Sequence, residues 1–153
     1  MNRSLRLYEA LKANRLIALL APKTAGQCLT AFETLDPLGV VLEVAFRTEA
    51  AAEGLRLVLD RHPEALVMAG TIMTPGQARE AISAGAAGVV SADYVPSVVE
   101  TCVEADVMSV PGGLSDCGKQ IAYKAVLYGC GPAELKDKHG AQNLEEVFRS
   151  SLR

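Results

Sequence analysis

A carboxylate and a guanidinium occur four residues apart in the apolar stretch LEVAFRT, residues 42–48. Strand side chains alternate between two faces, so Glu43, Ala45 and Arg47 should share one face. A charge inside a buried strand is costly unless it is paired or functional. A desolvated carboxyl can transfer protons, and a guanidinium can bind a carboxylate with two parallel hydrogen bonds. This stretch alone leaves two interpretations, a structural ion pair or a functional site.

Further polar and small residues occur where other apolar runs of the sequence end. Thr71 follows the third run, Ser91 ends the fourth, and Pro111 and Gly112 follow the fifth. In folds built on parallel strands, ligands bind at the carboxyl ends of the strands, so these residues and Arg47 would converge. They would leave room for a ligand and supply hydrogen-bond donors. The alternative is that the glycine and proline residues only turn the chain.

Five short apolar runs would position these residues, and they begin 24, 25, 22 and 19 residues apart. Amphipathic segments such as TPGQAREAISAG lie between them. In that segment Thr74 is a plausible N-cap, Pro75 takes the first helical position, and Gly85 follows the last turn. Strand and helix alternating at this pitch predict an α/β fold with parallel strands covered by helices. The predicted strands are 16–21, 40–46, 65–70, 87–91 and 106–110, preceded by a helix over residues 4–13.

Composition places the chain among ordinary globular domains. It has 153 residues, of which 50% are apolar and 22% are charged, with a net charge of −3. No basic patch suggests nucleic acid, no apolar run approaches the ~20 residues of a membrane span, and the N-terminus has no signal-peptide core. We expect a single cytoplasmic domain over residues 1–153 with no nucleic-acid or membrane partner.

Metal and disulfide chemistry has little support in the sequence. The four cysteines are widely spaced without a C-x-x-C pair, which is typical of reduced structural side chains. Neither His62 nor His139 lies on the predicted rim. We expect no metal and no cofactor. The cysteines are Cys28, Cys102, Cys117 and Cys130.

Three stretches together resemble a known enzyme family: LEVAFRT, MAGTIMTPGQAREAISAGAAGVVSADY and VPGGLSD. Their order and spacing are similar to those of 2-keto-3-deoxy-6-phosphogluconate aldolase and 4-hydroxy-2-oxoglutarate aldolase, over roughly residues 15 to 130. The resemblance implies a (β/α)₈ TIM barrel and a homotrimer. It also implies cleavage of a 2-keto-4-hydroxy acid to pyruvate and an aldehyde through a lysine Schiff base, as in carbohydrate metabolism.

The resemblance also implies roles for individual residues. Glu43 matches the carboxylate that shuttles protons, Arg47 the guanidinium that holds the substrate carboxylate, and Thr71 the hydroxyl beside it. Ser91, Pro111 and Gly112 would complete the substrate-binding rim.

The sequence departs from the family pattern after the fifth run. The nucleophilic lysine of the family lies in a Lys-x-Phe-Pro-Ala pattern, which is absent from the 153 residues. Lys136 and Lys138 lie in a polar tail, 132–151, that we expect to be helical. Five strands make only part of an eight-stranded barrel, so we expect an incomplete barrel. SADY also stands where the family has Ser-Pro.

These observations leave several functional interpretations. The chain could be a divergent class I aldolase, or a non-catalytic remnant that binds 2-keto acids or serves as an oligomerisation module. A metal-dependent aldolase is the weakest alternative, because only two histidines are present. Because no imine-forming lysine is evident, we expect little or no aldol cleavage.

Overall fold

The computed structural model describes residues 2–112, in which helices and strands alternate along the chain. The helices are α1 (Arg3–Asn14), α2 (Ala25–Leu35), α3 (Glu49–Arg61), α4 (Pro75–Ser83) and α5 (Pro96–Glu104). The strands are β1 (Ile17–Leu20), β2 (Val41–Ala45), β3 (Val67–Gly70), β4 (Gly88–Ser91) and β5 (Met108–Pro111). A 3₁₀ turn, Asp36–Leu38, follows α2.

The five strands form one parallel sheet in the order β1-β2-β3-β4-β5. The register pairs Glu43 of β2 with Leu19 of β1 on one side and with Met68 of β3 on the other. Within the described residues, β1 and β5 are the two edges, so the sheet is open. The α/β fold class, the five parallel strands and the partial barrel are therefore confirmed.

Helix α4 begins where the sequence predicts. The backbone N–H of Gln77 donates to Oγ1 of Thr74, and Oε1 of Gln77 accepts from the backbone N–H of Thr74. This reciprocal capping box satisfies amide groups that the first turn would leave unpaired. Pro75 occupies the first helical position, and Gly85 follows the helix with φ +97°. The predicted start and end of this helix are confirmed.

One face of the sheet packs against the helices. Leu42, Val44 and Phe46 belong to the larger apolar cluster, which includes Cys28 of α2 and Leu55 of α3. Because β2 side chains alternate, Val41, Glu43 and Ala45 lie on the opposite face, which we call the inner face.

Helix α1 covers the amino-terminal end of the inner face. Leu7 is buried in a second apolar cluster with Val41, Met68 and Met108. Polar contacts tie the same helix to the segments that precede β3 and β5: Arg3 donates to the Ala65 carbonyl and Ser4 to the Asp106 carbonyl. An ion pair joins Arg6 and Glu64. The N-terminal helix predicted over residues 4–13 is therefore confirmed, and it closes the end opposite the carboxyl ends of the strands.

Several expectations concern residues outside the part that the structure describes. The tail over 132–151 for which the sequence predicts a helix, with Lys136 and Lys138, lies there, as do Cys117, Cys130 and His139. Cys28 and Cys102 are free and buried. Within residues 2–112, no helix has the length and apolar character needed to cross a membrane.

Candidate active site at the carboxyl end of the sheet

Glu43 extends from the middle of β2 into the inner face. The strands of residues 17–111 contain one ionisable side chain, and it is Glu43. Its carboxyl group lies over the backbone of Gly70 in β3, where a Cβ atom would be 2.0 Å from Oε1 of Glu43. The neighbouring strand therefore accommodates the carboxyl group because it carries no side chain at that point.

Burial raises the pKa of Glu43 above its ordinary value, and burial is the sole cause of the shift. No ion pair or hydrogen bond joins Glu43 to another described residue. A carboxyl group that loses water without gaining a cationic partner holds its proton more tightly. Glu43 is thus suited to accept and return a proton nearer to neutral pH than an exposed glutamate.

Arg47 lies just beyond the end of β2 and is exposed. Its backbone N–H donates to the carbonyl of Ala45 at 2.9 Å, so the chain turns there. The strict alternation that would place Arg47 on the same face as Glu43 therefore ends before Arg47, because β2 ends at Ala45. In the described part of the chain, the ion pairs are Arg6–Glu64 and His62–Glu33, so Glu43 and Arg47 do not form the structural pair that the sequence left open.

Arg47 lines a cleft of about 310 Å³ between the start of α3 and α4. The cleft carries charges of both signs, because Glu49 and Glu80 also line it. The other lining residues are Phe46, Thr48, Glu49, Ala52, Gln77 and Glu80.

The start of α3, next to Arg47, differs from the starts of α2 and α4. Thr48 is the N-cap, but its hydroxyl donates to the carbonyl of Pro22 at 3.0 Å and makes no capping bond. In α2 and α4 a glutamine, Gln27 or Gln77, accepts from backbone N–H groups at the start of its helix. The amino end of α3, which carries a partial positive charge, is therefore without a side-chain cap.

Thr71 adopts a backbone conformation that its residue type disfavours. Its φ is +60°, which is rare for a β-branched residue. The next residue is held in place, because the N–H of Ile72 donates to the carbonyl of Val90 at 3.1 Å. Strained conformations of this kind concentrate at functional sites, where surrounding structure maintains them.

Ser91, Pro111 and Gly112 come together at the ends of β4 and β5. The N–H of Gly112 donates to the Ser91 carbonyl at 2.7 Å, and the Ser91 hydroxyl donates to the Asp93 carbonyl at 2.7 Å. A Cβ atom at Gly112 would lie 2.4 Å from the Ala92 carbonyl oxygen, so only glycine fits there. The Ser91 hydroxyl is thus engaged within its own loop, and Ser91, Pro111 and Gly112 lie next to one another.

The lysines of the described part lie outside the inner face. Lys12 is on α1, above the ring of Tyr8 and at the opposite end of the sheet, and Lys23 is exposed in the loop before α2. Residues 2–112 contain no group of three His, Cys, Asp or Glu side chains that could hold a metal ion.

Two residues of the site were not singled out from the sequence. Gly70 and Thr48 are these residues, and in the sequence each is one residue of a longer matching stretch. The signal for Gly70 is a glycine in the last position of an apolar strand beside a strand that contains a charge.

The described residues form an α/β fold with an open parallel sheet, and polar residues lie at the carboxyl ends of its strands, where proteins of this class commonly bind ligands. The family model for KDPG and KHG aldolase matches residues 7–130. The chain therefore belongs to the KDPG and KHG aldolase family.

Individual relatives support the same assignment. The chain is 33% identical over 108 residues to a 2-dehydro-3-deoxy-phosphogluconate aldolase of Haemophilus influenzae, covering 70% of this chain and 51% of that protein. It is 34% identical over 107 residues to the enzyme of the same name from Treponema pallidum, covering 69% and 51%. The chain thus spans about half the length of these relatives.

A solved structure shares the fold. It is the KDPG aldolase of Legionella pneumophila with pyruvate captured as a covalent carbinolamine intermediate. It superimposes with a TM-score of 0.65 at 27% identity, covering 77% of this chain and 56% of that one.

Proposed function

We propose that this chain binds 2-keto acids at the carboxyl end of its sheet and supplies the proton-transfer group of a class I aldolase. The substrate class would be the 2-keto-4-hydroxy acids, such as 2-keto-3-deoxy-6-phosphogluconate or 4-hydroxy-2-oxoglutarate, which yield pyruvate and an aldehyde. The observation that carries the proposal is Glu43, a half-buried carboxyl with a raised pKa that is the one ionisable side chain in the described strands. The captured pyruvate in the Legionella relative supports the choice of ligand.

Arg47 and Thr71 would orient the ligand next to Glu43. Arg47 is exposed, unpaired among the described residues and adjacent to the uncapped amino end of α3, so it can receive a carboxylate. Thr71 directly follows Gly70, which lies against the Glu43 carboxyl. Its hydroxyl would donate to the same carboxylate from the next strand. Ser91, Pro111 and Gly112 would form the wall at the ends of β4 and β5.

The reaction of this class requires an amine in addition to these groups. The amine adds to the C2 carbonyl and expels water, giving an imine. A base then removes the C4 hydroxyl proton, the C3–C4 bond breaks, and its electron pair passes into the imine as an enamine. Protonation of C3 and hydrolysis release pyruvate. Glu43 would accept and return these protons, a contribution typically worth ~10²–10⁴-fold.

None of the described residues is a candidate for the amine that forms the imine. Imine formation needs a desolvated lysine, whereas Lys12 and Lys23 are both exposed. The Lys-x-Phe-Pro-Ala pattern is absent from the 153 residues. We therefore propose that the 153-residue chain binds a 2-keto acid with little or no aldol cleavage of its own. The second candidate, a complete class I aldolase, would use a lysine among Lys119, Lys124, Lys136 and Lys138.

Pyruvate binding and trapping separate the two candidates. The purified 153-residue chain is incubated with pyruvate, and binding is followed by saturation-transfer NMR. Borohydride is then added and the protein mass is measured. We expect a saturation-transfer signal that Arg47→Ala removes and the matched exposed variant Arg56→Ala retains, with no pyruvyl adduct. Absence of binding would overturn the keto-acid site. A stable adduct on one lysine, with turnover of 4-hydroxy-2-oxoglutarate, would establish the complete aldolase instead.

Assembly and location are part of the same proposal. By family membership we propose a cytoplasmic homotrimer that acts on small molecules without a cofactor. Light scattering coupled to size exclusion measures the number of copies, and a monomeric mass would contradict the trimer.

A further inference from the structure

Gly70 lies directly against the side chain of Glu43 from the neighbouring strand. A Cβ atom built at Gly70 would lie 2.0 Å from Oε1, 2.8 Å from Cδ and 2.9 Å from Cγ of Glu43. Cβ atoms essentially never come within 3.0 Å of such neighbours. Any side chain at position 70 would therefore force the Glu43 carboxyl out of its present position.

The backbone conformation at position 70 does not require a glycine. The described glycines with positive φ are Gly39 and Gly85, and Gly70 lies in a regular strand. Its carbonyl accepts the N–H of Phe46 at 2.9 Å, as in an ordinary parallel pair. A glycine inside a strand weakens it unless another group approaches closely. Here the group that approaches is the Glu43 carboxyl.

We propose that Gly70 is a positioning residue, whose missing side chain leaves the hollow that holds the Glu43 carboxyl against β3 and away from the open edge of the sheet. The catalytic consequence rests on the proposed function of Glu43, but the positional claim does not.

The pKa of Glu43 should depend on where its carboxyl group lies, because the residues around it are uncharged. Leu19 and Met68 lie beside it in register, Val41 and Ala45 flank it in β2, and β4 and β5 present no ionisable side chain. The charged side chains of the described loops that follow the strands are Lys23, Arg47 and Asp93. Among the described residues no charged neighbour contributes to the shift, and desolvation raises the pKa of Glu43. A carboxyl displaced toward solvent should therefore titrate more like a free glutamate.

The test measures the titration of Glu43 in the 153-residue chain labelled with ¹³C at glutamate carboxyl carbons. Glu43→Gln identifies the resonance by removing it. We expect Gly70→Ala to lower the pKa of Glu43 toward the ordinary value. The matched control is Gly76→Ala, because a Cβ atom there would meet only Oγ1 of Thr74, at 3.8 Å. An unchanged titration in Gly70→Ala would overturn the proposal.

A double-mutant cycle keeps the proposal testable if Gly70→Ala folds poorly. Glu43→Ala removes the three atoms that a methyl group at position 70 would meet, so the loss of stability caused by Gly70→Ala should disappear in that background. An equal loss in both backgrounds would overturn the proposal. Pyruvate binding is scored separately: if binding fails while the titration shifts, the proposed function is wrong and the positioning role stands. If the chain turns over 4-hydroxy-2-oxoglutarate, Gly70→Ala should lower that rate by about 10²-fold, the cost of a ~1 Å misplacement.

Discussion

Replacing Leu7 with alanine should destabilise the chain far more than its position in a terminal helix suggests. Leu7 is 0% exposed, and its Cδ2 atom lies 2.6 Å from where a Cβ atom of Gly88 would be. Its side chain thus fills a hollow in the sheet between Met68 and Met108. Leucine-to-alanine changes in cores cost about 2–5 kcal/mol, and the cost is greatest where the cavity cannot collapse. Strands on both sides hold this hollow open, so we expect the upper half of that range.

Urea unfolding followed by circular dichroism measures the effect. The matched control is Leu5→Ala on the same helix, because Leu5 is 48% exposed and should change the unfolding free energy by about 0.5 kcal/mol or less. The opened end should also admit water to the inner face and lower the pKa of Glu43. Equal effects of Leu7→Ala and Leu5→Ala would refute the placement of α1 against the sheet.

Three further substitutions test other parts of the structure. Because burial raises the pKa of Glu43, the folded chain binds that proton more tightly than the unfolded chain. Its unfolding free energy should therefore fall as pH rises through the raised pKa, by at most about 1.4 kcal/mol per pH unit, and Glu43→Gln should abolish this fall in urea titrations across pH. Thr71→Gly should keep or raise stability by up to about 1 kcal/mol by relieving strain, while weakening pyruvate binding in saturation-transfer NMR; a loss of stability would contradict the strain. Gly54→Ala should lower the unfolding free energy by about 1–3 kcal/mol, because its methyl group would overlap Sγ of Cys28. Adding Cys28→Ala should restore stability. The control Gly26→Ala should not destabilise, because a methyl group there would lie in open space.

The sequence predicted those features that depend on local pattern. The five apolar runs identified the strands because parallel strands buried on both faces read as continuous apolar segments. Thr74 and Pro75 identified the start of α4 because capping requires residues close together in the chain. The same alternation correctly placed Glu43 on the face opposite Leu42 and Val44.

Local sequence pattern could not predict features that depend on contacts between residues far apart in the chain. Gly70 matters because of Glu43, which lies in another strand, and no local preference links the two. The backbone of Thr71 is set by the strands around it and opposes the preference of its residue type. Arg47 was expected on the same strand face as Glu43, but period-2 alternation predicts orientation only within a strand, and β2 ends at Ala45.

The contacts of α1 have a consequence for the order in which the chain folds. Ser4 donates its hydroxyl hydrogen to the carbonyl of Asp106, 102 residues later. Ribosomes add about 5–20 residues per second, so roughly 5–20 s separate synthesis of these two groups. During that interval Leu7 has no completed sheet to cover, and its apolar surface is available to chaperones or to other nascent chains. Helix α1 is therefore among the last elements of residues 2–112 to dock, although it precedes the other four helices in the chain.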